Sequence, residues 1–192
     1  MNWLTSDEHY NHANIITRFV FRKFRNVEEM NAELIKRHNS RVKDGDLVFH
    51  LGDFKLTNKG LNKFEIVRQL NGHHVFIAGN HDKKNGCNTP VKYIVMELFK
   101  EPVLLIHKPE DATELMQKLG IKKAFVGHVH EKWKMLKTEQ GLLVNVGVDV
   151  WDYYPVDAKQ IFKAIAREGY DCHADPMRPL RAGAVRAGRV GY

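Results

Sequence analysis

Five short apolar runs in this chain each end abruptly in Asp, His or Asn, and that repeated ending constrains the fold more than any other feature. Val75-Phe76-Ile77-Ala78 stops on Gly79 and gives way to Asn80, His81 and Asp82: an amide, an imidazole and a carboxylate with no apolar neighbour to bury them. Asn2-Trp3-Leu4-Thr5 leads to Asp7 and His9, and Leu47-Val48-Phe49-His50-Leu51 leads to Gly52-Asp53. Val103-Leu104-Leu105-Ile106 delivers His107, and Ala124-Phe125-Val126 delivers Gly127-His128-Val129-His130. Strands that all terminate in ligand chemistry imply one edge of a sheet presenting a metal site.

Between these runs the chain alternates strand and helix, which predicts an α/β fold. Asn26 with Glu29 three residues on has the form of a capping box, and Val27, Met30, Leu34, Ile35 and Val42 follow at helical spacing. A second helix is expected to carry Leu61, Phe64, Val67 and Leu70 on one face and to close at Asn71-Gly72. Residues 91–99 read as a strand, and Leu115, Met116 and Leu119 as a short helix stopped by Gly120. Trp133 to Leu136 and Leu142 to Val146 form a hairpin pattern around Gln140-Gly141. A last helix starts at Asp157 with Gln160 as its capping partner.

The chain has 192 residues, enough for one domain with its own core. Residues 1–170 are read as that domain. Residues 171–192 are read as an appended tail, because Lys disappears there and Arg, Ala, Gly and Pro take over. No apolar run approaches the ~20 residues of a membrane span, and nothing at the start resembles a signal peptide. Cys87 and Cys172 lie in unrelated surroundings, so free thiols in a reducing cytoplasm are expected. A formal charge of +7 favours anionic partners, though much of it is Lys scattered on helix faces.

His, Asp and Asn without Cys suit divalent Mn, Fe, Co, Ni or Zn. Seven candidates, Asp7, His9, Asp53, Asn80, His107, His128 and His130, are too many for one ion and suit two that share a carboxylate. Two ions ~3.5–4 Å apart can hold a bridging hydroxide and bind both developing charges of an in-line displacement at phosphorus.

Asp7-x-His9, Gly52-Asp53, Gly79-Asn80-His81-Asp82, His107 and Gly127-His128-x-His130 resemble, in order, the motif set of the calcineurin-like metallophosphoesterase superfamily. The run from Asn145-Val146-Gly147 to Pro155 resembles the closing strand of its small bacterial and phage members. The resemblance implies a four-layer α/β/β/α sandwich, two mixed sheets flanked by helices. It implies two divalent ions, manganese foremost, one on Asp7, His9, Asp53 and His130 and the other on Asp53, Asn80, His107 and His128. It assigns His81 to the leaving oxygen, off the metals, with Asp82 orienting it. The expected activity is hydrolysis of a phosphoester, a small or nucleotide-type diester before a monoester, with nucleic acid as a further substrate class.

Each residue has a plainer reading. Asp7 and Asp53 taken singly are turn or cap residues, and His107 taken singly is an interior histidine; their joint occurrence argues for ligands. His50 reads as structural, and His73 and His74 as solvated. Asn11, His12 and Tyr153 are the candidates for substrate contact in an open pocket, while Asn14 could cap a turn and the aromatics around Tyr153 could simply pack. The basic stretch from Arg18 to Arg25 reads as a solvated loop or a cover over the site. The competing class is a binding scaffold, such as the retromer subunit that resembles these enzymes but lacks catalytic residues; here every ligand position is filled.

Overall fold

The computed structural model describes residues 1–19, 22–57 and 59–169; the segment read as a tail, and Cys172 within it, lies outside the described residues. The first half runs β1 (Asn2–Thr5), α1 (Asn14–Thr17), α2 (Val27–Arg41), β2 (Leu47–His50), α3 (Lys63–Val67), β3 (His73–Phe76) and β4 (Tyr93–Leu98). The second runs β5 (Glu101–Ile106), α4 (Pro109–Leu119), β6 (Lys123–Val126), β7 (Met135–Lys137), β8 (Leu142–Asn145), β9 (Val156–Asp157) and α5 (Ala158–Arg167).

Two mixed sheets result. In the first, ordered β3-β2-β1-β9, the first three strands are parallel and β9 is antiparallel to β1. In the second, ordered β4-β5-β6-β8-β7, β5, β6 and β8 are parallel and the flanking strands antiparallel. Alternation along the strands sorts the apolar residues into layers. Leu4, Phe49, Leu51 and Ile77 of one sheet meet Val103, Leu105, Phe125 and Val144 of the other, with Ile161 and Ile165 of α5 joining them. Behind the first sheet, Met30 and Leu34 of α2 and Ile66 of α3 cover Tyr10 and Phe54. Behind the second, Ala112 and Met116 of α4 cover Leu104, Ile106, Ala124 and Val126. This is the four-layer sandwich expected.

Local signals acted largely as their chemistry predicts. Asp157 and Gln160 close both halves of a capping box on α5. Asn26 accepts from the Glu29 amide at 2.8 Å, but the Glu29 carboxylate turns to the Arg25 amide instead of completing the box. Gly120 ends α4 at φ 68°, where a side chain would be strained. The face expected for the second helix is only half right. The helix is five residues long; Leu70 is buried and Val67 packs on the core beside Ile66, but Leu61 and the 76% exposed Phe64 face outward. Asn62 and Glu65 form the capping box that sets its start and hence its rotation. His74 is half-buried against His50 rather than solvated. No helix among the described residues is long and apolar enough to cross a membrane.

Candidate metal centre

The carboxyl ends of β1, β2 and β3 meet those of β5, β6 and β8 along one seam, the place where open α/β sheets bind ligands. A bridge between Ser6 and Gly147 and the bond from the Val148 amide to the Ser6 carbonyl join the two sheets there. The backbone turns sharply as each strand ends. Asp7, His9, Asp53, His128 and His130 all have left-handed φ, between 51° and 72°. Non-glycine residues held in that region cost of order 1–3 kcal/mol each and persist only where the surroundings fix them. Five of the ten non-glycine residues with such φ among the described residues are these motif residues. Glycines in the same motifs allow the close approach: a Cβ on Gly52 would lie 2.6 Å from His107 Nδ1, and one on Gly127 2.6 Å from Asp7 Oδ2.

Two groups of metal-ligating atoms form at the seam, Asp7 with His9 and His130, and Asp53 with His107 and His128, each within 4.8 Å. Both groups draw on both sheets. Asp53 belongs to the second and also reaches the first, with its Oδ2 3.4 Å from His107 Nε2 and 3.7 Å from His9 Nε2. Asn80 stands beside the second group, its Oδ1 2.9 Å from His107 Nε2.

The donor set fits a cation. His107 Nδ1 donates to the Leu51 carbonyl at 2.8 Å, so a neutral ring turns the Nε2 lone pair toward Asn80 Oδ1 and Asp53. Two facing acceptors need a proton or a metal between them. Burial alone would lower the His107 pKa, but the hydrogen bond to Asp53 and the charges of Asp7 and Asp53 raise it to about 9. Asp7 Oδ1 is buried without a hydrogen-bond partner among the described residues. Burial raises the Asp7 pKa and holds that of His9 far below its usual value. Burial would raise Asp53 too, but His107, His9 and the His81 amide outweigh it and keep the carboxylate ionised.

His81 is separate from both groups. Its side chain is 49% exposed, its Nε2 lies 3.9 Å from Asp53 Oδ2, and its amide donates to Asp53 Oδ1 at 2.9 Å. Asp82 does not orient the His81 ring. It is buried, and its carboxylate accepts from the amides of Asp53, Phe54 and Gly79 at 2.8 to 3.1 Å, pinning the loops after β2 and β3 to each other. A carboxylate one residue beyond the histidine points back under the turn, where unpaired amides claim it.

His12 does reach the site: its ring lies 5.3 Å from that of His9, and burial, with Arg22 and His81 nearby, lowers its pKa to about 4. Asn11 does not face it. Its side chain bridges Asn31 of α2 at 2.8 Å and the Leu61 carbonyl at 2.8 Å, a structural strap. Tyr153 packs on Phe24, with the Arg22 and Arg37 guanidinium groups over its ring, and is likewise no substrate contact in this geometry.

Sequence reasoning missed Arg22 as an interior residue and Asp149 altogether. Arg22 is 1% exposed, so it forms neither a solvated loop nor a cover. It donates to both Asp149 oxygens at 2.7 and 3.0 Å and to the carbonyls of Glu8 and Asp7, while Asp149 Oδ2 accepts from His130 Nδ1 at 2.9 Å. Asn145, fully buried, holds the carbonyls of His130 and Trp133. A groove of about 460 Å³ opens beside Asn80 and His107, with Lys92, Tyr93, Lys108 and Asp111 on its walls.

A two-sheet sandwich that gathers Asp and His into metal-sized groups where its strands end is a metallophosphoesterase-type protein. The chain belongs to the calcineurin-like phosphoesterase superfamily, whose domain model matches residues 3–153. The uncharacterized protein MJ1445 of Methanocaldococcus jannaschii is 39% identical over 170 residues, covering 86% of this chain and 91% of that one. The crystal structure of AQ665, a protein of unknown function from Aquifex aeolicus, superposes with a TM-score of 0.67 at 25% identity, covering 86% of this chain and 99% of the other. A structure described as a novel archaeal phosphodiesterase is similar at 20% identity and a TM-score of 0.44, over 76% and 82% of the two chains.

Proposed function

We propose that this chain is a phosphodiesterase that works with two divalent ions, manganese foremost, on a small or nucleotide-type diester. The observation that carries the reading is the pair of ligand groups with the Asp53 carboxylate set between them and the half-exposed His81 beside it. Asp7, His9 and His130 would hold one ion, and His107, His128 and Asn80 the other, with Asp53 serving both. When bound, such ions polarise a phosphoryl oxygen and make a water acidic enough to attack at neutral pH.

The chain's own residues do the rest. His81, anchored through its backbone amide and carbonyl, has its half-exposed ring placed to carry a proton on Nε2 to the leaving oxygen. Arg22, the guanidinium nearest the ligands, has its donors spent on Asp149 and on the carbonyls of Asp7 and Glu8, so it offers no clamp to the second charge of a monoester. Arg25 pairs with Glu29 at the surface. The groove beside Asn80 and His107 has room for the second alcohol that a diester carries.

The test is kcat/KM for a bis-aryl phosphodiester and the matching aryl monoester on one manganese-loaded preparation. The diester should be hydrolysed faster; preference for the monoester overturns the diester assignment, and hydrolysis of neither overturns the enzymatic one. A binding scaffold would have no reason to keep His81 beside an intact ligand set.

A further inference from the structure

We infer that Asp149, clamped by the buried Arg22, is a positioning residue that holds His130, and through it the whole first ligand group, in the geometry that takes a metal. The ligand set belongs to the function proposed above; what is added is a device that tunes one of its two halves.

Asp149 is nine-tenths buried or more, with a side-chain exposure of 3%. Its carboxylate is ion-paired with the equally buried Arg22 guanidinium. Its Oδ2 accepts from His130 Nδ1 at 2.9 Å and from Arg22 Nη2 at 3.0 Å, while Oδ1 accepts from Arg22 Nε at 2.7 Å. With Nδ1–H given to a carboxylate, the ring is fixed as the tautomer whose Nε2 lone pair is the metal-facing one, and that nitrogen becomes more basic. Asp7, and the turn that leads from it to His9, are tied to the same cation. Arg22 Nη2 donates to the Asp7 carbonyl and Nη1 to the Glu8 carbonyl, on the turn between Asp7 and His9. One guanidinium thus braces the β1 turn and, through Asp149, the His130 ring.

The second group is braced differently. His107 gives Nδ1–H to the Leu51 carbonyl, a neutral acceptor, and the loops around Asp53 and Gly79 hang on Asp82. The two halves should therefore respond differently to loss of Asp149. Replacing it with Asn keeps the size and an oxygen for His130 but removes the charge that Arg22 and the imidazole both need. A buried guanidinium left without its counter-ion pulls on the turn it braces.

The experiment is manganese titration of metal-stripped protein by calorimetry, for the unaltered chain, Asp149→Asn, Arg22→Lys, His130→Ala and the Asp149→Asn/His130→Ala pair. Asp149→Asn should weaken one of two binding steps by about 10- to 100-fold and leave the other unchanged. Arg22→Lys, which keeps a cation, should fall between. In the double variant the two losses should not add, because Asp149 acts through His130. Circular dichroism of the metal-free variants separates this from misfolding, and if Asp149→Asn does not fold, Arg22→Lys against His130→Ala carries the same comparison. Unchanged affinity in the folded variants, equal weakening of both steps, or full additivity overturns the inference. An unaltered chain that binds no metal overturns both it and the proposed function; one that binds metal but cleaves no ester overturns the function alone.

Discussion

At the scale of single residues, His81 and Asp53 separate two roles that a list of polar groups at strand ends would merge. His81→Ala should keep both ions and the fold while losing about a hundred- to ten-thousandfold in turnover, the usual worth of a general acid. Metal analysis beside kcat decides it, and activity that falls only as metal is lost would remove His81 from the chemistry. Asp53→Asn should be the most damaging ligand change, because its carboxylate lies within 3.7 Å of an imidazole from each group. The candidate ligands that the structure gathers were legible in the sequence because each follows closely on a strand, and local order fixes where such a residue points. Asp149 and Arg22 were not, since they lie 127 residues apart and only the meeting of two sheets pairs them. Asn11, Asp82 and Tyr153 misled for the opposite reason: polar or aromatic chemistry near a motif suggests substrate contact or, for Asp82, a hold on His81, but unpaired amides, carbonyls and guanidinium groups nearby claimed it first.

At the scale of elements, His38 on α2, His50 on β2 and His74 on β3 form a histidine contact between layers, with ring centroids 5.2 to 6.4 Å apart. Burial pushes His38 and His74 down to about 4 and His50 to about 3. The unfolded chain protonates them below about pH 6.5, so between about pH 4 and 6.5 it binds more protons than the native state. The stability they contribute is complete above 6.5 and lost as pH falls. Glu8, which accepts from His50 Nδ1 at 2.6 Å, opposes part of this, because burial raises its pKa to about 7 and the native state gains a proton there first. Three histidines outweigh one carboxyl. Urea unfolding of metal-free protein should therefore show stability dropping from pH 6.5 to 4.5, and His38→Gln should flatten the slope by up to about 1.4 kcal/mol per pH unit. An unchanged slope would place His38 outside the titration. The strands and the long helices followed their patterns, whereas α3 did so only in part, because five residues are too few for periodicity to outweigh the cap that sets their rotation.

At the scale of the whole molecule, the two sheets are held by an apolar layer between them and by the seam at their strand ends. Each ligand group crosses that seam. Asp7 and His9 come from the first sheet and His130 from the second, while Asp53 comes from the first and His107 and His128 from the second. Metal bound there would be a cross-link between sheets that the unfolded chain cannot form. An ion at a hundred times its dissociation constant stabilises the native state by about 2.7 kcal/mol, and a domain of this size gains about 2–4 °C per kcal/mol. Two ions should then raise Tm by about 10–20 °C over chelator-treated protein. Asp53→Asn should remove more than half of that rise, because it withdraws charge from both groups. Asp149→Asn should remove less, because only the first group leans on it. A manganese-independent Tm, or a rise that survives Asp53→Asn in full, would mean that the ions do not join the sheets and that the strain stored in the left-handed turns is held by the backbone bonds, Arg22 and the Asp7 and Asp82 carboxylates.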